Sequence, residues 1–206
     1  MTDILELLQG GYKKFRAGDF HEQKELYEEL GTKGQKPRVM ILSCSDSRVD
    51  PSDIFHAYPG EMFVVRNVAA TIPPNQTDDG FHGTASAIEY GVKGLGVEAI
   101  LVIGHESCGG CAGALHGLGD LDAPYVREWV KILSDVADEV RDAPEPERAM
   151  EKAAVKKTLD NLMTYPWVKS RVDAGELRLI GMWFSIISAK LLMLGEDGEF
   201  SEVPTS

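Results

Sequence analysis

Three short apolar runs rich in branched side chains constrain the fold of this chain most strongly. They occupy residues 38–43, 62–68 and 99–103, and turn residues or helical patterns separate them. Runs of this length and composition are typical of strands that are buried on both faces. Because strands that alternate with helices form βαβ units, the pattern predicts an α/β fold with a mostly parallel central sheet, right-handed crossovers and flanking helices.

Helical patterns fill the segments around these runs. Apolar residues recur at helical spacing from Leu5 to Phe15 and predict a first helix that ends at residues 18–19, followed by a second over residues 21–30. We interpret residues 1–34 as an N-terminal helical arm within a single domain, 1–206; the arm either caps its own subunit or lies over a partner subunit. Further helical patterns cover residues 84–92, 123–140 and 148–172, and a late strand over residues 177–187 is expected at a sheet edge.

Charge and composition exclude several classes of function. The 206-residue chain carries 33 acidic and 21 basic side chains, a formal net charge of -12. A surface that binds nucleic acid or anionic lipid needs clustered Lys and Arg, so we expect neither partner. We see no secretory signal and no apolar run near the ~20 residues that span a bilayer. With an odd count of three cysteines, the chain is expected to reside in the reducing cytoplasm.

Cysteine and histidine follow two of the apolar runs directly. Cys44 ends the run at 38–43, while His105 and Cys108 follow the run at 99–103. The carboxyl ends of neighbouring parallel strands meet at one edge of a sheet, where open α/β folds bind ligands. Catalytic zinc sites use three protein ligands and keep one position for water. The sequence therefore predicts a catalytic zinc site formed by these three side chains.

A charged pair stands beside the first predicted ligand. Asp46 and Arg48 belong to the same loop as Cys44. A guanidinium can hold a carboxylate by two parallel hydrogen bonds and keep it from coordinating the metal. The carboxylate can then accept a hydrogen bond from a protonated oxygen on the metal. We therefore predict a catalytic role for this pair, with Asp46 as a fourth metal ligand only if the site closes.

Alternatives remain open on the residues alone. Cys108 and Cys111 are spaced as Cys-x-x-Cys, which also suits a redox pair or a structural zinc site with four protein ligands. The redox interpretation leaves Cys44 and His105 unexplained, and we prefer Cys111 as a small buried side chain. His82, in a polar loop before a helix, is a candidate proton shuttle.

Four segments together resemble the β-class carbonic anhydrases. They are residues 44–49 (CSDSRV), 59–67 (PGEMFVVRN), 88–90 (IEY) and 104–110 (GHESCGG), and the similarity in order and spacing runs from about Gln35 to Gly113. The resemblance implies a hydro-lyase that converts carbon dioxide reversibly to bicarbonate and a proton, with attack by zinc hydroxide in a small apolar pocket. It also implies one Zn²⁺ per chain, bound by Cys44, His105 and Cys108, and a catalytic dyad of Asp46 and Arg48.

The same resemblance implies a substrate pocket and an assembly. Gln35, Phe63, Val68, Tyr90 and Gly109 match positions that contact the substrate in plant-like members of the family. The family fold has about four parallel strands and an added antiparallel edge strand. Its members form homodimers or assemblies of dimers, including tetramers, in which the N-terminal helices embrace the neighbour; Phe63 and Tyr90 then reach the site from the partner subunit. Carbon disulfide or carbonyl sulfide is an alternative substrate on the same scaffold.

The chain also departs from some members of the family. Members inhibited by bicarbonate carry a Trp three residues before the first zinc cysteine, where this chain has Ile41. We therefore expect an open, plant-like site without bicarbonate-driven closure. Many relatives have Asp and Gly at the turn after the late strand, where this chain has Ser185 and Ala189.

Overall fold

The fold is described from a computed structural model and covers residues 3–205. The chain divides into two units, Met1–Lys36 and Pro37–Ser206. Among the described residues, every helix is too short or too polar to cross a bilayer.

Over its described residues, 3–36, the first unit forms three helices, α1 (Ile4–Ala17), α2 (Asp19–Glu22) and α3 (Lys24–Lys33). The side chain of Asp3 caps α1 by accepting a hydrogen bond from the backbone N–H of Leu5 at 2.8 Å. The predicted first helix and its end near Gly18 match α1. The single helix predicted over residues 21–30 was wrong, because the backbone leaves the helical conformation at Gln23 (φ -110°, ψ 19°) and separates α2 from α3.

A six-stranded sheet forms the centre of the second unit. Its strands are β1 (Val39–Cys44), β2 (Met62–Asn67), β3 (Ala99–His105), β4 (Arg178–Phe184), β5 (Leu191–Leu194) and β6 (Phe200–Glu202), in the order β2-β1-β3-β4-β5-β6. The first four strands are parallel, whereas β5 is antiparallel to β4 and β6 is antiparallel to β5. The predicted α/β fold with a mostly parallel sheet is confirmed.

Two details of the sheet differ from the sequence prediction. The late strand predicted at an edge is β4, an interior strand that pairs with β3 on one side and β5 on the other. Two antiparallel strands, rather than one, extend the sheet, because the chain turns back between Gly195 and Gly198 and adds β6 as the edge. With only three residues, β6 has too little apolar alternation to be found from sequence.

Helices cover the faces of the sheet. They are α4 (Pro51–Ile54), α5 (Gly83–Glu89), α6 (Gly109–His116), α7 (Pro124–Val130), α8 (Ser134–Val140), α9 (Pro146–Met163) and α10 (Pro166–Asp173), with a π-helical segment at Tyr90–Leu95 and a 3₁₀ turn at Lys131–Leu133. Helix α9 packs on β3 and β4. The two long helical patterns are each interrupted, the first by the 3₁₀ turn and the second before Pro166, whose ring and missing N–H prevent a continuous helix.

Alternate residues of the central strands point into separate cores. Met40 and Leu42 of β1 and Ile100 of β3 pack with apolar residues of α5, α9 and α10. Ile41 and Leu101 point to the opposite face. Both faces of these strands are therefore buried, which explains why their sequences are continuously apolar rather than alternating.

Candidate metal centre

The candidate site lies at the carboxyl ends of β1 and β3. The two strands are parallel neighbours with Ser43 opposite Ile103, so they end at the same edge of the sheet. Cys44 is the last residue of β1 and His105 is the last residue of β3. A tight turn then brings Cys108 to the position just before helix α6. The topology therefore brings three donor side chains together from two distant parts of the sequence.

The three donor atoms are buried and close enough to share one ion. Cys44, His105 and Cys108 form a group whose ligand atoms all lie within 4.8 Å of one another. Their relative exposures are 6%, 1% and 3%. The Sγ atoms of Cys44 and Cys108 are 3.9 Å apart. A tetrahedral zinc ion about 2.3 Å from each of two sulfurs separates them by about 3.8 Å, so the observed spacing suits zinc.

The imidazole of His105 is oriented as a ligand. Its Nδ1 lies 2.9 Å from the carbonyl oxygen of Glu106, which can only accept a hydrogen bond, so Nδ1 carries the proton. The other nitrogen, Nε2, is buried and has no hydrogen-bond partner among the described residues. A buried nitrogen lone pair without a donor costs free energy. A metal ion between His105 and the two cysteines would satisfy it.

Proximity and burial keep the two cysteine thiols protonated in the protein alone. The neighbouring Cys108 thiol and burial raise the pKa of Cys44 to about 12. The Cys111 thiol and burial raise the pKa of Cys108 to about 12. A divalent cation reverses this preference, because it stabilises both thiolates and releases their protons. Cys111 is itself a buried free cysteine of α6 and does not belong to the group of three.

Asp46 and Arg48 form a bidentate ion pair beside this group. The Oδ1 atom of Asp46 accepts hydrogen bonds from the backbone N and Nε of Arg48, both at 2.9 Å, and Oδ2 accepts one from Nη2 at 2.7 Å. Nη2 also donates to the carbonyl oxygen of Ser107 at 3.1 Å. The Arg48 guanidinium holds the pKa of the Asp46 carboxyl well below its usual range. The carboxylate is thus ionised and directed toward Arg48.

The backbone around the metal centre is held in sparsely populated conformations. Ser107, between the candidate ligands His105 and Cys108, has φ +56°, and Ala69 and Ala70, which follow β2, have φ +64° and +51°. Residues other than glycine seldom adopt these angles, and they persist where surrounding contacts enforce them, often at functional sites.

The structure places two of the five predicted substrate-contacting residues close to the metal centre. Gly109 directly follows Cys108 as the first residue of α6, so its backbone N–H belongs to the unpaired donors of that helix end. Val68 packs in the same cluster as Cys44 and Cys108. Its carbonyl oxygen accepts a hydrogen bond from Nε1 of Trp129 at 2.9 Å.

Two others, Phe63 and Tyr90, do not join the candidate metal centre within the second unit. Phe63 contacts Tyr90, with ring centroids 5.9 Å apart. In the sheet, Cys44 pairs with Asn67, four residues beyond Phe63. Since a strand rises about 3.3 Å per residue, Phe63 lies about 13 Å along β2 from the level of the site. Gln35 belongs to the first unit and its role stays a prediction.

Two further features discussed from the sequence are His82 and the turn after β4. His82 Nε2 lies 2.8 Å from Oδ1 of Asp78, and its role as a proton shuttle also stays a prediction. The turn forms without the family's Asp and Gly. Ala189 adopts φ +54°, and Oγ of Ser185 accepts a hydrogen bond from Oγ of Ser188 at 2.8 Å.

Two further residues near the site were missed by the sequence reasoning. Glu151 of α9 is only 4% exposed, and burial raises its pKa. Its Oε1 accepts a hydrogen bond from the backbone N of Cys108 at 3.3 Å, and its Oε2 accepts one from Nε1 of Trp183 at 3.0 Å. A signal for Glu151 was present, because the spacing 151, 155, 158, 162 places it on the apolar face of its helix. No local pattern identified Trp183.

Comparisons with known proteins agree with this geometry. Residues 39–191 match the family model described as Carbonic anhydrase. The chain is 31% identical to a carbonic anhydrase of Helicobacter pylori (strain J99) over 203 residues, which cover 93% of this chain and 91% of the relative. Among solved structures, the β-carbonic anhydrase CcaA superposes with a TM-score of 0.89 at 32% identity, covering 98% of this chain and 92% of that one. A tetrameric β-carbonic anhydrase of Sordaria macrospora gives 0.80 at 25% identity, covering 97% and 98%.

Proposed function

This chain belongs to the β class of carbonic anhydrases, and from that premise we propose that it hydrates carbon dioxide at a zinc ion held by Cys44, His105 and Cys108. The observation that carries the proposal is the buried Nε2 of His105, which has no hydrogen-bond partner in the described part of the chain and lies close to two cysteines whose sulfurs are 3.9 Å apart. Two sulfurs and one imidazole nitrogen form a soft donor set that selects zinc over magnesium or calcium.

A three-residue donor set leaves a tetrahedral ion one position for solvent. When bound there, zinc lowers the pKa of a water molecule toward neutrality and so supplies a nucleophile at ordinary pH. Coordination by Asp46 or by Cys111 would fill this fourth position and leave no place for solvent. Arg48 occupies both carboxylate oxygens of Asp46, and Cys111 lies outside the ligand group. Both observations support the open site.

Asp46 selects the protonation state of the reacting oxygen. As an ionised carboxylate it can only accept hydrogen bonds, so it binds an oxygen that still carries a proton and orients the remaining lone pair toward the substrate. Arg48 keeps the carboxylate ionised and fixes its direction. The Gly109 N–H can donate to the oxygen that becomes negative as carbon dioxide is converted to bicarbonate.

We also propose that a second copy of the chain completes the substrate pocket. Val68 packs with Cys44 and Cys108 of its own chain, whereas Phe63, whose ring contacts Tyr90, lies about 13 Å along β2 from the level of Cys44. If they line the pocket, as the family resemblance implies, they come from a partner subunit. The tetrameric relative from Sordaria macrospora supports an oligomer. So do the exposed apolar side chains of α1, among them Leu5, Leu8 and Tyr12, which suit an arm over a neighbour.

Two finer proposals concern location and regulation. The three cysteines are free thiols, as in a reducing compartment, which supports a cytoplasmic location. Ile41 is buried in the core on one face of the sheet, so we expect no bicarbonate pocket built on a Trp at this position. Hydration rates should not fall cooperatively as bicarbonate rises.

A stopped-flow hydration assay combined with metal analysis tests the proposed function. We expect about one zinc per chain, hydration activity that largely disappears in Cys44→Ala, and a loss of about 10- to 100-fold in Asp46→Asn with zinc retained. Cys111→Ala, which removes a thiol of the same helix end outside the ligand group, is the matched control and should keep zinc and activity. Full hydration activity in a metal-free preparation, or a fourth protein ligand seen by X-ray absorption, would contradict the proposal.

A further inference from the structure

A buried carboxylate stands directly behind the metal centre. Glu151 belongs to α9, which packs on the carboxyl-terminal half of β3: a Cβ built on Gly104 would lie 3.2 Å from the Glu151 carbonyl oxygen. Its side chain reaches the backbone N of Cys108, 43 residues earlier in the chain. The contact therefore joins a helix from a distant part of the sequence to the amide of a proposed zinc ligand.

Both oxygens of this carboxylate accept hydrogen bonds, and neither forms an ion pair with a cation among residues 3–205. Oε1 accepts from the Cys108 amide and Oε2 accepts from the indole of Trp183, which is itself 2% exposed. Arg148, one helical turn before Glu151, pairs instead with Glu106 at 3.2 Å. Burying a carboxylate costs free energy that an apolar side chain of the same size would not cost. The hydrogen bond that the carboxylate accepts from the amide of a proposed zinc ligand supplies a functional reason for this cost.

The turn that Glu151 contacts is strained and determines the position of one sulfur. Ser107 is held at φ +56° between His105 and Cys108. Arg48 binds the carbonyl oxygen of Ser107 from one side at 3.1 Å, and Glu151 binds the amide of Cys108 from another at 3.3 Å. Fixing these two backbone groups fixes the direction in which the Cys108 side chain leaves the backbone. Hydrogen bonds to groups outside the ligand set commonly orient ligands in this way.

We propose that Glu151 is a positioning residue for Cys108, and that Trp183 acts on the metal centre through Glu151. Trp183 fixes one carboxylate oxygen, the other oxygen fixes the amide of Cys108, and the thiolate is thereby preset for zinc. The proposal rests on the proposed zinc site, and it concerns metal affinity and coordination geometry in addition to turnover.

The test compares zinc binding in Glu151→Ala, Glu151→Gln and a matched control. Chelator competition should show zinc bound about 10- to 100-fold more weakly in Glu151→Ala. Cobalt substitution should show a shifted sulfur-to-cobalt absorption band. Glu151→Gln keeps the volume and one acceptor oxygen, but its NH₂ group must face one of the two N–H donors. Because the side-chain volume is kept, the variant should fold well. Because only one of the two N–H donors keeps its acceptor, it should bind zinc with an affinity between those of the wild type and Glu151→Ala.

Asn161→Ala is the control for general loss of stability. Asn161 lies on the same helix, is 4% exposed, and donates a buried hydrogen bond to the Ile72 carbonyl oxygen at 2.7 Å. Its removal should lower the unfolding temperature without changing zinc affinity or the cobalt spectrum. If Asn161→Ala weakens zinc binding as much as Glu151→Ala, the effect is one of stability and the positioning role is wrong.

A double-mutant cycle with Trp183→Phe tests the route through Glu151. We expect Trp183→Phe to weaken zinc binding in the wild-type background and to have no further effect in the Glu151→Ala background. Additive losses would overturn the role assigned to Trp183, and unchanged zinc affinity and cobalt spectrum in Glu151→Ala and Glu151→Gln would overturn the role of Glu151. A wild-type protein that binds no zinc would instead overturn the proposed function, so the two failures are distinguishable.

Discussion

Replacing Gly110 by alanine should damage the proposed substrate pocket, whereas the same change at Gly109 should not. Gly110 is the second residue of α6 and is buried. A Cβ at this position would lie 2.6 Å from Cγ1 of Val68, 2.9 Å from Cβ of Ala69 and 3.1 Å from the Ala69 backbone N. Carbon atoms in contact normally sit about 3.5–4.0 Å apart. Val68 must therefore move by about 1 Å.

The turn that carries Val68 has little freedom to move. Ala69 and Ala70 are held at positive φ, and the indole of Trp129 holds the Val68 carbonyl oxygen. Overpacking of this kind costs about 1–3 kcal/mol, while replacing a helical glycine by alanine gains up to about 1 kcal/mol. We expect a net loss of about 1–2 kcal/mol in the free energy of unfolding. A shift of about 1 Å at the pocket wall can also lower kcat/KM by up to about 100-fold.

Gly109→Ala provides the matched comparison within the same helical turn. A Cβ on Gly109 would meet no atom of the described residues within 4 Å, and alanine keeps the backbone N–H that we assign to the substrate oxygen. Urea unfolding and stopped-flow hydration of the zinc-loaded proteins should show Gly109→Ala close to wild type and Gly110→Ala impaired in both. Equal stability and activity of the two variants would refute the steric reasoning.

Three further predictions follow from the same structure. Mixed oligomers of Phe63→Ala and Cys44→Ala chains should hydrate carbon dioxide faster than oligomers of either variant alone. The reason is that one site of the mixed oligomer combines the intact Cys44 of one chain with the intact Phe63 of the other. If the mixed oligomers regain no hydration activity, both residues belong to the site of one chain. The Lys157 ammonium lowers the pKa of Asp135, so the pair should stabilise the fold fully above about pH 4 and less as the pH falls through the lowered pKa. The stability deficit of Lys157→Met, measured by thermal unfolding, should therefore shrink in acid, and a deficit that grows would contradict this. Ala189→Gly should raise the free energy of unfolding by about 0.5–1 kcal/mol, because glycine removes the cost of φ +54°; a lower unfolding midpoint in urea would show that the turn is not strained.

The parts of the fold that sequence predicts well are those with a strong local signal. The runs that became β1 and β3 are apolar almost throughout because both of their faces are covered, whereas the run that became the edge strand β2 is only partly buried. The ends of all three runs agree with the structure within one or two residues. The breaks in the helices were missed where the signal is weak. Gln23 is an ordinary helix former, and only its backbone angles in the folded chain reveal the interruption.

The three side chains of the candidate metal centre could be predicted for the same reason. Cys44 and His105 directly follow apolar strands in sequence, and parallel pairing brings the ends of such strands together. The partner of Asp46 was also local, since Arg48 is two residues away. In each case the signal is a short local pattern: a donor at the end of an apolar run, or a charged partner two residues away.

The contacts that orient these groups have no such neighbourhood. Arg48 reaches the Ser107 carbonyl oxygen across 59 residues, Glu151 reaches the Cys108 amide across 43, and Trp129 reaches the Val68 carbonyl oxygen across 61. Each is a side chain bound to a backbone group, and a backbone group has the same chemistry whatever residue carries it. No pairing of residue types along the sequence can therefore reveal such a contact, although all three act on the strained turns beside the ligands. The identity of the candidate donors thus follows from short segments, whereas their orientation depends on side chains that only the folded chain brings to the site.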